Sequence, residues 1–357
     1  MTDPTPAVAS RITVSAFPTV YPDPLVANAR LQTALDHAIS AGPGTTWRVP
    51  VAIVDLNPNG SRPCATFRGA EEHFSASLLK VGAMYAAFEL LATARAAAGQ
   101  VGPTTKRAFF ADLAAYLDPL IIAKAATIPA LNGLQKRHCV PNYAKVFEAT
   151  SSPSGLSLDF TAEYKNAQLK MIGVSDNSKA ADCIHGLGYG YLNGTLSSGG
   201  FLDTATNEGL WLAGDFLGTW PYFRIQSVND DLVAQAASVI RLARLFTLIA
   251  DNKLVNAASS GEMRTLLAAA VTEREVFIDR TPGINFTVTH TKVGLAPLKP
   301  KNSGRNVSSE ASIIQRNADG RRFVVAWQNL IFNRDSDFAP ISKVVDRTMA
   351  EYLTPTP

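Results

Sequence analysis

Residues 74–96 read FSASLLKVGAMYAAFELLATARA, and a serine stands three places before a lysine as a long apolar run begins. Positions i and i+3 share a helix face, so Ser77 and Lys80 can present a hydroxyl and an amine to one another in a first turn. A serine nucleophile obtains a base in this way. The plain alternative is a helix start, with Ser75 or Ser77 as N-cap and Lys80 as a surface residue. Ser77-x-x-Lys80 is the only pattern of its kind in the chain, yet so short a motif needs support from elsewhere.

Outward from this run, the chain divides by periodicity. Toward the N-terminus, PLVANARLQTALDHAISAG carries leucines and alanines at helical spacing and ends in Ala-Gly. WRVPVAIVDLNPNGSRPCATFRG then reads as two strands about a turn at Asn57-Pro58-Asn59-Gly60. Helical patterns follow over Ser77–Ala98, 107–127, 161–173, 178–186, 229–251 and 260–273, with loops at 151–157 and 197–200. Strands return at 284–294, 310–316 and 321–332, with a turn at Asn317-Ala318-Asp319-Gly320, and SKVVDRTMAEYL closes as a helix. Strands from both ends therefore bracket a helical middle. The expected fold is α/β of the α+β kind: an antiparallel sheet flanked by the terminal helices, with an inserted all-helical subdomain. The expected divisions are a proline-rich lead over 1–25, a sheet subdomain over 26–74 plus 280–357, and a helical subdomain over 75–279 with an insertion near 118–157. A site is expected in the cleft between sheet and helices.

Composition narrows the function classes. The 357 residues are 46% hydrophobic and 18% charged, with a formal net charge of +3, the balance of a globular chain. Lysines and arginines stand singly or in pairs such as Arg321-Arg322, without the basic stripe of a nucleic-acid binder. The longest apolar run, 78–98, is interrupted by Lys80, Glu89 and Arg95, so no membrane span is expected. The proline-rich start lacks the pattern of an export signal. Localisation stays open between the cytoplasm and, were a signal removed, the periplasm or exterior. Cys64, Cys139 and Cys183 form no CxxC pair, and the five histidines show no ligand spacing. No metal or organic cofactor is expected, one disulfide stays open, and a monomer is expected.

Two later motifs bear on Ser77. MIGVSDNSKAAD at 171–182 places Ser175-Asp176-Asn177 between two helical stretches, where a turn and cap would also use these residues. THTKVG places Lys292-Val293-Gly294 on a strand, where an edge lysine before a turn glycine is the plain reading. Taken in order and context, the three motifs resemble the Ser-x-x-Lys, Ser-Asp-Asn and Lys-Thr-Gly set of class A β-lactamases and penicillin-binding proteins. The resemblance covers about residues 26–354 and extends to SSEASIIQRNADGRRFVVAW, which looks like that family's last two strands.

The resemblance implies a serine hydrolase working through an acyl-enzyme on Ser77, with β-lactam hydrolysis the foremost activity and a small-molecule or peptidoglycan-like acyl substrate. Lys80 would accept or relay the nucleophile's proton, and Ser175 would pass it to the leaving nitrogen. Asn177 would hold Lys80 and bind a substrate amide, Asp176 would order the loop, and Lys292 would bring positive charge. The N–H groups of Ser77 and Leu295 would form the oxyanion hole, with Gly294 leaving room for it. Two departures stand out. Val293 occupies the family's hydroxyl position, leaving Thr291 as a substitute ligand for a substrate carboxylate. The family's Glu and Leu-Asn pattern for deacylation is absent from GGFLDTATNEGLWLAGDFLGTWPYFRIQSVNDD, where Asp203, Glu208 and Asp215 are candidate bases and Glu208 the foremost. A D-alanyl-D-alanine carboxypeptidase, a transacylase or esterase, and a non-turnover penicillin-binding sensor therefore remain as alternatives. Trp211, Trp220 and Tyr222 would either line the cleft or pack the loop.

Overall fold

The computed structural model describes residues 12–44, 47–56, 60–101, 104–152, 155–299 and 305–354. The turn expected at 57–60 lies outside them apart from Gly60. Six strands form the central sheet: β1 (Leu25–Ala27), β2 (Val51–Asp55), β3 (Arg62–Phe67), β4 (Phe286–Pro297), β5 (Asn306–Arg316) and β6 (Arg322–Phe332), in the spatial order β1-β3-β2-β6-β5-β4. Neighbours run antiparallel except at one edge, where the three residues of β1 pair parallel to β3.

Strand periodicity divides the core in two. Val51 and Ile53 of β2, with Phe323, Val325 and Trp327 of β6, pack against Leu31, Leu35, Val344, Val345 and Met349 of the terminal helices Ala29–Ser40 and Ala339–Leu353. The intervening Ala52, Val54, Val324 and Ala326 face the helical part of the chain. Both faces are covered, so β2 and β6 are apolar almost without interruption rather than alternating with polar residues.

The helix Lys80–Ala98 runs through the second core. It is apolar on every side and buried over most of its length, as a helix surrounded by protein must be. By length and composition alone the segment Ala76–Ala98 could cross a membrane, but 83% of that window is buried inside the molecule. Around it stand Lys106–Ala126, Ala162–Gly173, Asn177–Leu187, Tyr189–Ser198 and Ala257–Thr272, while Val239–Ala250 packs on the sheet. Residues 229–238, expected as the start of a helix, instead supply two short strands, Asp231–Val233 and Gln235–Ala237, and the latter pairs with His73–Phe74 just before Ser77. The expected loop at 151–157 falls in a hairpin pairing Phe147–Ser152 with Gly155–Phe160. Ser197 and Ser198 end a helix, Tyr189–Ser198, that no periodicity announced. Its glycines allow close packing: a Cβ at Gly190 would lie 2.3 Å from Cys139 Sγ, and one at Gly194 2.6 Å from the Phe17 ring. All three cysteines are free and buried.

Candidate active site

Ser77 lies in a 3₁₀ turn, Ala76–Leu79, that leads into the Lys80 helix. Neither Ser75 nor Ser77 caps that turn through its side chain, so the capping reading does not hold. Ser75 is instead a buried strut. Its hydroxyl donates to His73 O (2.9 Å) and accepts from Gln328 Nε2 (2.6 Å), while its carbonyl accepts from Ser309 Oγ (3.0 Å) and Leu78 N (3.1 Å). These bonds hold Ala76 at φ +49°, a left-handed conformation that costs a residue with a Cβ about 1–3 kcal/mol. Directly across, Gly294 of β4 leaves no room for a side chain. A Cβ there would lie 2.2 Å from Ser75 O and 2.9 Å from Leu78 N.

The three motifs meet. Lys80 and Lys292 are fully buried, from a helix start and a strand respectively. Lys80 Nζ donates to Ser175 O (2.5 Å) and Asn177 Oδ1 (2.7 Å) and stands 3.4 Å from Ser175 Oγ. Lys292 Nζ donates to the same Ser175 Oγ (2.8 Å) and to Val293 O (2.8 Å). One hydroxyl thus links two amines. Ser175 itself is left-handed at φ +57°, and Asp176 caps the helix Asn177–Leu187 by accepting from Lys179 N (3.0 Å).

Electrostatics follow from this crowding. Burial, with the nearby Lys292 charge, lowers Lys80 to about 6, against smaller opposing effects of Asp176 and Glu275. Burial lowers Lys292 to about 7, with Glu275 and Glu310 acting in the other direction. At neutral pH Lys80 is largely the free amine. A neutral amine has two N–H donors, which Ser175 O and Asn177 Oδ1 can take, leaving the lone pair for an incoming proton. Ser77 Oγ makes no hydrogen bond among the described residues.

A cavity of about 280 Å³ opens on Ser77 and Asn177, with Phe74, Phe216 and Tyr222 as aromatic walls and Leu295 beside them. Behind it, the Phe216 ring lies 4.8 Å from Lys80 Nζ.

The candidate bases stand elsewhere. Glu208 pairs with the exposed Asp203 in a small hairpin, and neither lines this cavity. Asp215 is fully buried and holds a turn. Its carboxylate accepts from the N–H groups of Leu217, Gly218, Thr219 and Trp220 (2.8–3.2 Å) and from His185 Nε2 (3.1 Å). Burial raises its pKa, but the Thr219 hydroxyl, Gly218 N–H and His185 outweigh this and hold it below the ordinary range. Thr291 also points away. Strand alternation sets it opposite Lys292, and its hydroxyl donates to Glu310 Oε1 (3.0 Å) and meets Ser312 Oγ (2.8 Å). Val293 packs into the core on the terminal-helix side.

The cavity contains residues that sequence reasoning passed over: Asp230, its one acidic lining residue among those described, with Gln235 and the exposed Lys299. Asp230 lies in the quoted loop SVNDD, which reaches Ser77 through the pairing of Gln235–Ala237 with His73–Phe74 and through Phe74 N donating to Asn229 Oδ1 (2.7 Å). The same folding settles the aromatics. Tyr222 lines the cavity, Trp211 is buried with its Nε1 donating to Phe223 O (3.1 Å), and Trp220 stacks on His185.

No protein-family model matches the chain, and no curated protein matches it by sequence. Solved structures do match. A class A β-lactamase from Bacteroides cellulosilyticus DSM 14838 is 14% identical, covering 90% of this chain and 99% of its own with a TM-score of 0.53. The TLA-3 extended-spectrum β-lactamase is 13% identical over 91% and 98%, with a TM-score of 0.54. A β-lactamase from Burkholderia phymatum is 14% identical over 90% and 99%, with a TM-score of 0.51. The chain has the class A β-lactamase fold.

Proposed function

We propose that the chain is a serine hydrolase that attacks a lactam or activated amide through an acyl-enzyme on Ser77, with β-lactams as the foremost substrate class. The observation that carries this reading is the Ser175 hydroxyl set between the Lys80 and Lys292 amines, beside a cavity open to Ser77.

The step balances with these groups alone. Ser77 Oγ bonds to the carbonyl carbon while its proton passes to the neutral Lys80 amine. The oxyanion is met by the N–H groups of Ser77 and Leu295. The C–N bond then breaks, and the leaving nitrogen takes a proton relayed by Ser175. Lys292, while protonated, stabilises the negative charge that develops nearby. Lys299 at the cavity rim supplies a cation for a substrate carboxylate in the absence of the hydroxyl that Val293 replaces.

Deacylation needs a water and a base, and the lining of the Ser77 cavity offers Asp230 for that role. A second reading rests on Phe216, whose ring covers Lys80. If it also keeps water from the ester, the acyl group waits for an amine or alcohol, as in a carboxypeptidase or transacylase, or stays, as in a sensor.

The test is turnover of a chromogenic cephalosporin. The wild type is expected to release product continuously, Ser77→Ala none, and Ser175→Ala at a rate lower by about 10²–10⁴-fold, the usual worth of a positioned proton relay. Asp230→Asn is expected to acylate at the wild-type rate and stall as the ester. Equal turnover in Ser77→Ala would remove the reading, and unimpaired turnover in Asp230→Asn would remove Asp230 as base.

A further inference from the structure

A larger cavity, about 880 Å³ against about 280 Å³ beside Ser77, opens on the helical insertion. Its size suits a small molecule. The lining is chemically one-sided. Lys106, Arg107, Arg137, Lys145 and His185 contribute basic groups, and no aspartate or glutamate lines it among the described residues. Lys145 is already shared with Asp182 (3.2 Å). Lys106, Arg107 and Arg137 are exposed and form no ion pair among the described residues.

Between these cations lies an aromatic surface of Phe110, Tyr143 and Trp220. Phe110 and Tyr143 are buried and form its floor, the Tyr143 hydroxyl donating to Asp118 Oδ1 (3.2 Å). The Trp220 ring is fixed by its neighbours: it stacks on His185 at 4.1 Å and 15°, with His138 at 4.5 Å. His185 in turn donates to Asp215 Oδ2, and Asp215 accepts the backbone N–H of Trp220 itself. The tryptophan face is therefore set before any ligand arrives, which lowers the ordering cost of stacking.

We infer that this cavity is a binding site for a small organic anion, an aromatic or apolar body carrying a phosphate or carboxylate. The body packs against the half-buried Trp220 ring, and the anionic group takes the guanidinium forks of Arg107 and Arg137, which suit phosphate and carboxylate geometry. A neutral ligand would leave those cations unused, and a cation would be repelled.

Isothermal titration of the full chain with 1-naphthyl phosphate tests the site. Saturable one-to-one binding is expected, weaker by about tenfold or more for 1-naphthol and for the Arg107→Gln/Arg137→Gln double variant, the span of about one charge-assisted contact. Both arginines are exposed, so the variant should keep the wild-type circular dichroism. Tryptophan quenching by the probe should disappear in Trp220→Phe, and Lys299→Gln, which alters the Ser77 cavity, should bind as the wild type does. Absence of saturable binding, binding that survives the double arginine change, or binding lost in Lys299→Gln would each overturn the assignment.

Discussion

In the proposed reaction Lys80 can serve as a base only because it is buried. An exposed lysine near its ordinary 10.5 is protonated at neutral pH and cannot accept a proton, whereas one lowered to about 6 can. Acylation should therefore rise with pH through about 6. It should fall again above about 7 as Lys292 loses its charge, the two limbs belonging to the coupled pair rather than to either residue. A pre-steady-state acylation profile from pH 5 to 9 checks this. Stability follows the same shift. Between about 6 and 10.5 the unfolded chain binds the Lys80 proton and the native state does not, so this group's destabilising effect is full below 6 and fades as pH rises. Lys80→Met should thus be inactive yet more stable than the wild type at pH 7, by about 1–4 kcal/mol, since it removes a buried group that must give up its proton on folding. Urea titrations should show the gap closing toward pH 10. The serine-lysine spacing was legible in the sequence; the burial that gives it meaning was not, because Ser175, Asn177 and Phe216 arrive from distant segments.

At the scale of elements, the 215–220 turn decides what surrounds Lys80. Asp215 gathers four successive N–H groups and thereby holds Phe216 at φ +64°, with its ring toward Lys80. Asp215→Ala should unpair those donors, lower stability by about 1–3 kcal/mol and make the loop sensitive to protease. The carboxyl is held below its ordinary value, so its contribution is present above about pH 4 and lost as pH falls through the folded value. Urea unfolding of both proteins at pH 7 and pH 3 should show the difference shrinking in acid. An acidic residue in a loop has the same letter whether it reacts or ties backbone, so by sequence alone Asp215 stands among the candidate bases. The helix Tyr189–Ser198 was illegible for another reason. Its two glycines lower helix propensity, and the reason for them, close approach to Cys139 and Phe17, exists only in the folded molecule.

Across the whole molecule, strand periodicity at both ends and helical periodicity between them are enough to imply a sheet flanking a helical middle. The short parallel pairing of β1 and the strands at 231–237 escaped because two or three residues carry too little pattern to read. Yet one of those strands, Gln235–Ala237, brings Asp230 and Gln235 to the cavity that opens on Ser77. The sheet supplies Lys292 and the helical part supplies Lys80, Ser175 and Asn177, which meet at the Ser175 hydroxyl, so the candidate site exists only when both are assembled. The most direct measurement is intact-protein mass spectrometry after mixing with a penicillin, followed by peptide mapping. An adduct of one penicillin mass is expected on the peptide carrying Ser77, absent in Ser77→Ala, decaying in the wild type and persisting in Asp230→Asn. An adduct on another residue, or none with either a penicillin or a cephalosporin, would contradict an acyl-enzyme on Ser77.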